Sequence, residues 1–336
     1  MNAHRSPHVS HPWCAFTLPE VLTAVAVSAA VLVLLATFVG RSMNVLNSAT
    51  ARSETRQGTA AAADCLERDL ARAMLESYSA ADPTGASGSP ALRSSMRFLV
   101  ATPGADGLPG LTGTGHLLLF QAVPDGSPAS AASAPPVVDG VDPAVATYAF
   151  YVAFARAPAA PTHASAEANP LRFRLMRVVI PPDLVSAYPP SDADSWLSAS
   201  EMPRYTTAVA DNVIALIVRP VEAGGTPETA PRDVTAAYLF DSLEGAEADP
   251  QSPTAHRLPP MLQITVVAID EAAARRLDRG AETPPVEVTS ALAGKFLNPA
   301  ERDADIADMR RRLHGSGIHL TVRTLSIPLR ESTWPR

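Results

Sequence analysis

The chain has 336 residues, 46% hydrophobic and 18% charged, with 27 basic against 34 acidic side chains and a formal charge of −7. That length allows one large core or two modest ones, and the acid excess argues against a nucleic-acid binder held by phosphate contacts. Two cysteines, Cys14 and Cys65, are too few for a disulfide-stapled scaffold or a Cys-only zinc site.

The first fifteen residues, MNAHRSPHVSHPWCA, are polar and carry one basic residue, Arg5. The histidines His4, His8 and His11 have helical spacing, but prolines interrupt the segment, so no metal role is read there. Phe16-Thr17-Leu18-Pro19-Glu20 follows and leads straight into an uncharged run of nineteen residues, Val21 to Val39, closed by Gly40 and Arg41. At about 1.5 Å per residue this run approaches the ~30 Å hydrocarbon core, and Phe16 to Leu18 lengthen it. A secretory signal has a shorter apolar region with a small-residue cleavage site just after it. Here the nearest such site, Ala49-Thr50-Ala51, lies well beyond the run. Cys14 precedes the apolar run, which excludes the lipoprotein order. Arg41, Arg52 and Arg56 on the far flank outnumber Arg5, so basic residues alone favour the far flank as the cytoplasmic one. A carboxylate at the mouth of a membrane helix calls for a cation, which a new α-amino group at Phe16 would supply.

This order of leader, small residue, Phe-Thr-Leu-x-Glu and long apolar helix resembles the N-terminus of type IV prepilins. The matching residues are Ala15, Phe16, Thr17, Leu18 and Glu20, with Ala15 standing where that family usually has Gly. The resemblance implies cleavage by a prepilin peptidase between Ala15 and Phe16, N-methylation of Phe16, and a role for Glu20 in assembly. It also implies other pilin-like or pseudopilin subunits as partners, an inner-membrane location with the C-terminal head in the periplasm, and no cofactor. The alternative from another class is an uncleaved, membrane-anchored periplasmic binding protein or enzyme.

Beyond Arg41, apolar residues recur at three- and four-residue steps through Met43, Leu46, Ala49, Ala63, Leu66, Leu70, Ala73 and Met74. Between Arg41 and Pro83 there is no proline. One helix from about Thr17 to about Ser79 is expected, with Gly40 and Gly58 as flexing points and an amphipathic second half packed on a head. Cys65 falls on that half as a buried, inert thiol. The division expected is a leader over 1–15, a transmembrane assembly helix over 16–40, an amphipathic stem over 41–80 and an extracytoplasmic head over 81–336.

Strand-like runs follow at Arg97–Thr102, His116–Val123, Val145–Phe154, Arg172–Ile180, Val213–Arg219, Tyr238–Asp241, Met261–Ile269 and Ile318–Leu329. Period-two alternation is visible in Tyr148, Phe150, Val152 and Phe154, and in Leu320, Val322, Thr324 and Ser326. With no βαβ repeat, they predict an α+β protein: a long N-terminal transmembrane and stem helix packed on a mainly antiparallel sheet, a pilin-like layout. Ala81–Pro90, Pro124–Pro143 and Ala157–Pro170 read as Pro- and small-residue loops. Helices are expected at Glu271–Arg279, Val286–Leu297 and Pro299–Leu313, the last capped by Asn298 and carrying acids early and arginines late. The segment Leu258-Pro259-Pro260-Met261 leading into its strand resembles minor pseudopilins of the J type of type II secretion. With the Glu271–Arg279 helix and Ser326-Ile327-Pro328-Leu329-Arg330, the layout is most similar to the Verru_Chthon cassette protein C family of Verrucomicrobia. No nucleophile elbow, HExxH, EF-hand or P-loop is present. His163, His256, His314 and His319 occur singly, and Asp192 and Asp194 beside Trp196 are too few for a calcium site. No catalytic or metal residue is therefore assigned.

Overall fold

The computed structural model describes residues 17–76, 78–80, 91–103, 113–124, 145–158, 169–185, 201–222, 231–244, 252, 254–278 and 282–332. The chain forms two compact units, Met1–Thr50 and Ala51–Arg336. The expected loops lie mostly outside the described residues, as do His163, Asp192, Asp194, Trp196, Ala15 and Phe16.

Helix α1 is Leu18–Leu70 and runs through both Gly40 and Gly58. In the first unit, Leu18–Met43 is a 26-residue stretch long and apolar enough to cross a membrane, with none of its most apolar window buried. In the second unit, α1 buries Thr55, Thr59, Ala62, Ala63, Leu66 and Leu70 and leaves Glu54, Arg56, Asp64, Glu67 and Arg68 exposed. Those three- and four-residue steps make one apolar stripe, the helical solution for packing on a sheet. The expected stem is shortened at its end, because α1 stops at Leu70 and not near Ser79. Ala73–Met74 (β1) instead pairs with Leu117–Ala122 (β5), and Tyr78–Ala80 (β2) pairs with Ala91–Arg93 (β3). Helical periodicity continued past Leu70, but the ladder with β5 satisfies the backbone groups and buries Ala73, and tertiary pairing overrides propensity here.

The larger sheet contains Leu99–Ala101 (β4), β5, Ala146–Ala155 (β6), Arg172–Ile180 (β7), Thr206–Asp211 (β8) and Phe240–Asp241 (β11) in the order β11-β4-β5-β6-β7-β8, with β1 also on β5. Every ladder in it is antiparallel. One face carries Phe98, Leu118, Phe120, Tyr148, Phe150, Val152 and Leu175, packed in one core with Ala62, Leu66 and Leu70 of α1. The other face carries Leu117, Leu119, Ala149, Tyr151, Met176 and Val178, covered by Met202 and Tyr205 of the short helix α2 (Met202–Tyr205) and by Leu184. Burial on both faces explains why β5 reads as a continuous apolar run.

The second sheet is β10-β9-β12-β13, made by Val213–Glu222 (β9), Arg232–Asp233 (β10), Met261–Ile269 (β12) and Leu320–Pro328 (β13), again antiparallel. Three helices lie between β12 and β13 in the chain: α3 (Glu271–Leu277), α4 (Val286–Leu292) and α5 (Arg302–Gly315). Asp270 caps α3 by accepting from Ala273 N–H, and Asn298 caps a 3-10 turn, Pro299–Glu301, that precedes α5. The two sheets are joined where β8 runs into β9 through Asn212, whose φ is 63°.

Candidate functional site

Three described residues of the expected N-terminal motif, Thr17, Leu18 and Glu20, sit on the first turn of α1. Glu20 N–H donates to the Thr17 carbonyl at 3.0 Å, and the Glu20 carboxylate reaches back to Thr17 N–H and to its hydroxyl, each at 3.5 Å. This is the carboxylate half of a capping box, at the long end of hydrogen-bond range. The spacing Thr17-x-x-Glu20 could have revealed it in the sequence. Pro19 fits because the first turn has no intrahelical N–H bond to lose. Along the apolar stretch Leu22, Val25, Leu32, Leu34 and Phe38 are more than half exposed. A shallow surface formed by Glu20, Val21, Ala24, Val25, Ser28, Ala29 and Leu32 mixes small and branched side chains, the composition that permits close helix approach in lipid.

In the second unit, the contact of α1 with the large sheet contains charge. Asp69 is 1% exposed and meets Arg72 at 2.7 Å and Arg177 of β7 at 2.7 Å. The Arg177 guanidinium also lies 5.2 Å over the Tyr148 ring. Cys65 is half-buried next to this cluster, and burial, with Asp69 adding to it, pushes its thiol pKa up. An inert thiol is the consequence, because the thiolate is the reactive form.

At the β8–β9 corner, Glu271 of α3 accepts from Arg172, from Asn212 at 2.9 Å and from Arg275 at 2.8 Å. Burial alone would raise its carboxyl, but these three donors outweigh it and hold the pKa near 2. The group is an ionised strut tied to three side chains. Asp308 on α5 is likewise held near 2 by Lys295 and Arg311, with Arg312 adding to them.

The residue that sequence reading passed over is His116. It lies 2% exposed, with Val218 N–H donating to Nδ1 at 3.0 Å and Nε2 placed 3.1 Å from the Phe296 carbonyl. Those partners fit a neutral ring protonated at Nε2. Burial pushes its pKa down to about 4, against the opposing pull of the Phe296 and Val218 hydrogen bonds. The chain reaches this point through Gly113-Thr114-Gly115. Thr114 N–H donates to Val152 O at 3.1 Å, its hydroxyl to Ile214 O at 2.5 Å, and His116 N–H to Leu216 O at 2.6 Å. Gly115 has φ 79°, and a Cβ there would stand 2.5 Å from Leu216 O, so glycine is required. The pair of glycines just before a strand was the available signal.

The other described histidines have local partners. His256 is buried with Nδ1 accepting from Ser94 N–H at 3.2 Å, while His314 and His319 are not separate but have rings 5.4 Å apart. Among the described residues no group of three or more His, Cys, Asp or Glu could hold a metal ion. A cleft of about 620 Å³ borders Tyr151, Phe154, Phe173, Met176 and Met202, with Arg156 and Glu282 also lining it. No family model matches the chain, and no curated protein and no solved structure matches it either.

Proposed function

We propose that this chain is a pilin-like structural subunit, cut by prepilin peptidase between Ala15 and Phe16 and N-methylated at Phe16. On this reading it is a minor pseudopilin of a pilus or secretion pseudopilus, and not an enzyme. It assembles through its N-terminal helix with other pilin-like subunits at the inner membrane, with its α+β head in the periplasm. The observation that carries this reading is the order of Thr17, Leu18 and Glu20 on the first turn of a helix whose next residues form an exposed, membrane-length apolar stretch. An antiparallel head that packs on the later turns of the same helix supports it. Intact mass and N-terminal sequencing of membrane-expressed protein, with and without a prepilin peptidase, test it. A mature terminus at Phe16 carrying an added methyl group is expected, and retention of Met1 in the presence of the peptidase overturns it.

One observation favours a second reading, an uncleaved single-pass anchor for a periplasmic binding protein or enzyme. The carboxylate of Glu20 already has a local partner in Thr17, so its presence does not require a neighbouring subunit. Glu20→Gln separates the two, since glutamine keeps the reach to Thr17 N–H and removes the charge. A subunit assembled through that charge loses co-purification with partner pilins, whereas a plain anchor behaves as the unsubstituted protein does.

A further inference from the structure

We propose that His116 is an acid-sensitive latch that holds the Phe296 corner, and with it the layer formed by α4 and α5, against strand β9. The ring is the tie between two elements that no ladder joins. One nitrogen faces the backbone of Val218 in β9 and the other the carbonyl of Phe296, which lies between α4 and α5. Phe296 is itself held in a left-handed backbone conformation, φ 59°, and its N–H donates to Asp305 Oδ2 of α5 at 2.8 Å. Both backbone groups of this strained residue therefore end on titratable side chains.

Protonation changes the donor count at the ring. In the neutral form Nδ1 accepts from Val218 N–H; in the charged form Nδ1–H must turn to the Val218 carbonyl, 3.1 Å away, and the buried Val218 N–H loses its acceptor. Among the described residues no carboxylate touches the ring to balance that charge. Tyr238, from the segment before β11, packs its ring 4.7 Å from the imidazole and brings a neutral phenol whose pKa burial raises to about 12. Asp305 is engaged by Phe296 N–H and by Lys295 at 3.3 Å. The other charged groups nearby are already matched, Lys295 by Asp305 and Asp308, Arg219 of β9 by Asp233 and Arg302 of α5 by Asp303, so none is a spare counter-charge for the imidazolium. A cavity of about 310 Å³ lined by Thr114, His116, Thr289, Leu292, Lys295 and Phe296 leaves room for the corner to move and for water to reach the ring. Swinging Phe296 away hydrates the imidazolium without breaking the β6–β7 ladder or the packing of α1.

Hydrogen exchange of the full chain in lipid nanodiscs at pH 7, 5.5 and 4, corrected for intrinsic exchange rates, tests this. Peptides covering Val286–Asp305 should exchange ~10-fold faster at pH 4 than at pH 5.5, while peptides from β6 and β7 keep their protection. His116→Gln, which can accept from Val218 and donate to Phe296 without titrating, should abolish that pH dependence. Asp305→Asn, which removes the other titratable group at Phe296, should retain it. An unchanged corner at pH 4, a loss shared equally by β6 and β7, a transition that persists in His116→Gln or one that vanishes in Asp305→Asn each overturns the latch. If His116→Gln does not fold, the unsubstituted chain and Asp305→Asn still decide.

Discussion

The two parts of α1 use one secondary structure for opposite ends. From Val21 to Val39 the helix carries no charge on any side and its large side chains are exposed; from Thr55 to Leu70 it is charged on one side and buried on the other. A helix that is hydrophobic all round has to be covered by lipid or by protein, whereas a striped helix is covered by its own sheet. Exposure, not apolar content, therefore marks where an external partner is needed. Leu66 is fully buried by this head and Leu32 is 65% exposed.

Substitutions sharpen that contrast. The largest effect is expected for Leu66→Ala, which removes a side chain packed with the large sheet and should cost about 3 kcal/mol of head stability. Leu32→Ala, the same chemical change in the apolar stretch, should leave head stability unchanged. Urea unfolding followed by pulse proteolysis in detergent reads both, and equal effects would break the distinction. Next comes Asp69→Ala, which strips Arg177 and Arg72 of their shared carboxylate at a nearly dry contact and should cost about 2 kcal/mol by the same measurement. That figure lies below the usual penalty for breaking a buried pair because Arg177 is 26% exposed and regains water.

Acid should separate the parts as well, because the head holds its titratable groups in pairs whose charge it depends on. Glu271 is held near 2 in the folded head against an ordinary value of 4.5. Its contribution is present above pH 4.5 and is lost as pH falls through 2, because the unfolded chain binds the proton first. His116 acts on the same side: its folded pKa near 4 lies below the ordinary 6.5, so stability is full above pH 6.5 and declines toward pH 4, by roughly 3 kcal/mol in all. Glu271→Gln should flatten only the limb below pH 4.5 in a stability profile followed by near-ultraviolet circular dichroism. The smallest effect is expected for Thr17→Ala, which removes the hydroxyl that bonds Glu20. Its cost is about 0.5 kcal/mol, seen as ~2-fold faster exchange at the first-turn amides and not at all in the head.

How much of this was legible in the sequence follows from what each element rests on. Strands β7 and β12 begin and end where the apolar runs Arg172–Ile180 and Met261–Ile269 do, because both are bounded by turn residues and buried over most of their length. Helix α5 was readable from its charge order and from Asn298, which caps the 3-10 turn just before it, whereas α3 starts at Glu271 as expected and stops at Leu277, short of Arg279. Strand β8 was not, because Thr206–Asp211 is short and half-exposed and exists through its pairing with β7. The end of α1 failed for a related reason: Ala73–Met74 is chosen by β5, a partner distant in sequence. At the candidate site, the apolar span and Glu20 were visible, and the reach from Glu20 to Thr17 was hidden in a four-residue spacing. Ala15 and Phe16, where cleavage is expected, lie outside the described residues. The role of His116 depends on Val218 and Phe296, both remote in the chain, so Gly113 and Gly115 could flag a close backbone approach but not the partners it brings together.

The outermost ladder of the second sheet has a consequence for the order of events in folding. Strand β12 can pair with β9 as soon as both exist, but its nine paired positions with β13 must wait for the segment 270–319 to form three helices and return. Closing so long a loop slows the step, and an edge strand has only one neighbour to hold it. β13 is therefore expected to join this sheet after β9 and β12 have paired, and a head that lacks it presents β12 as a bare, apolar rim.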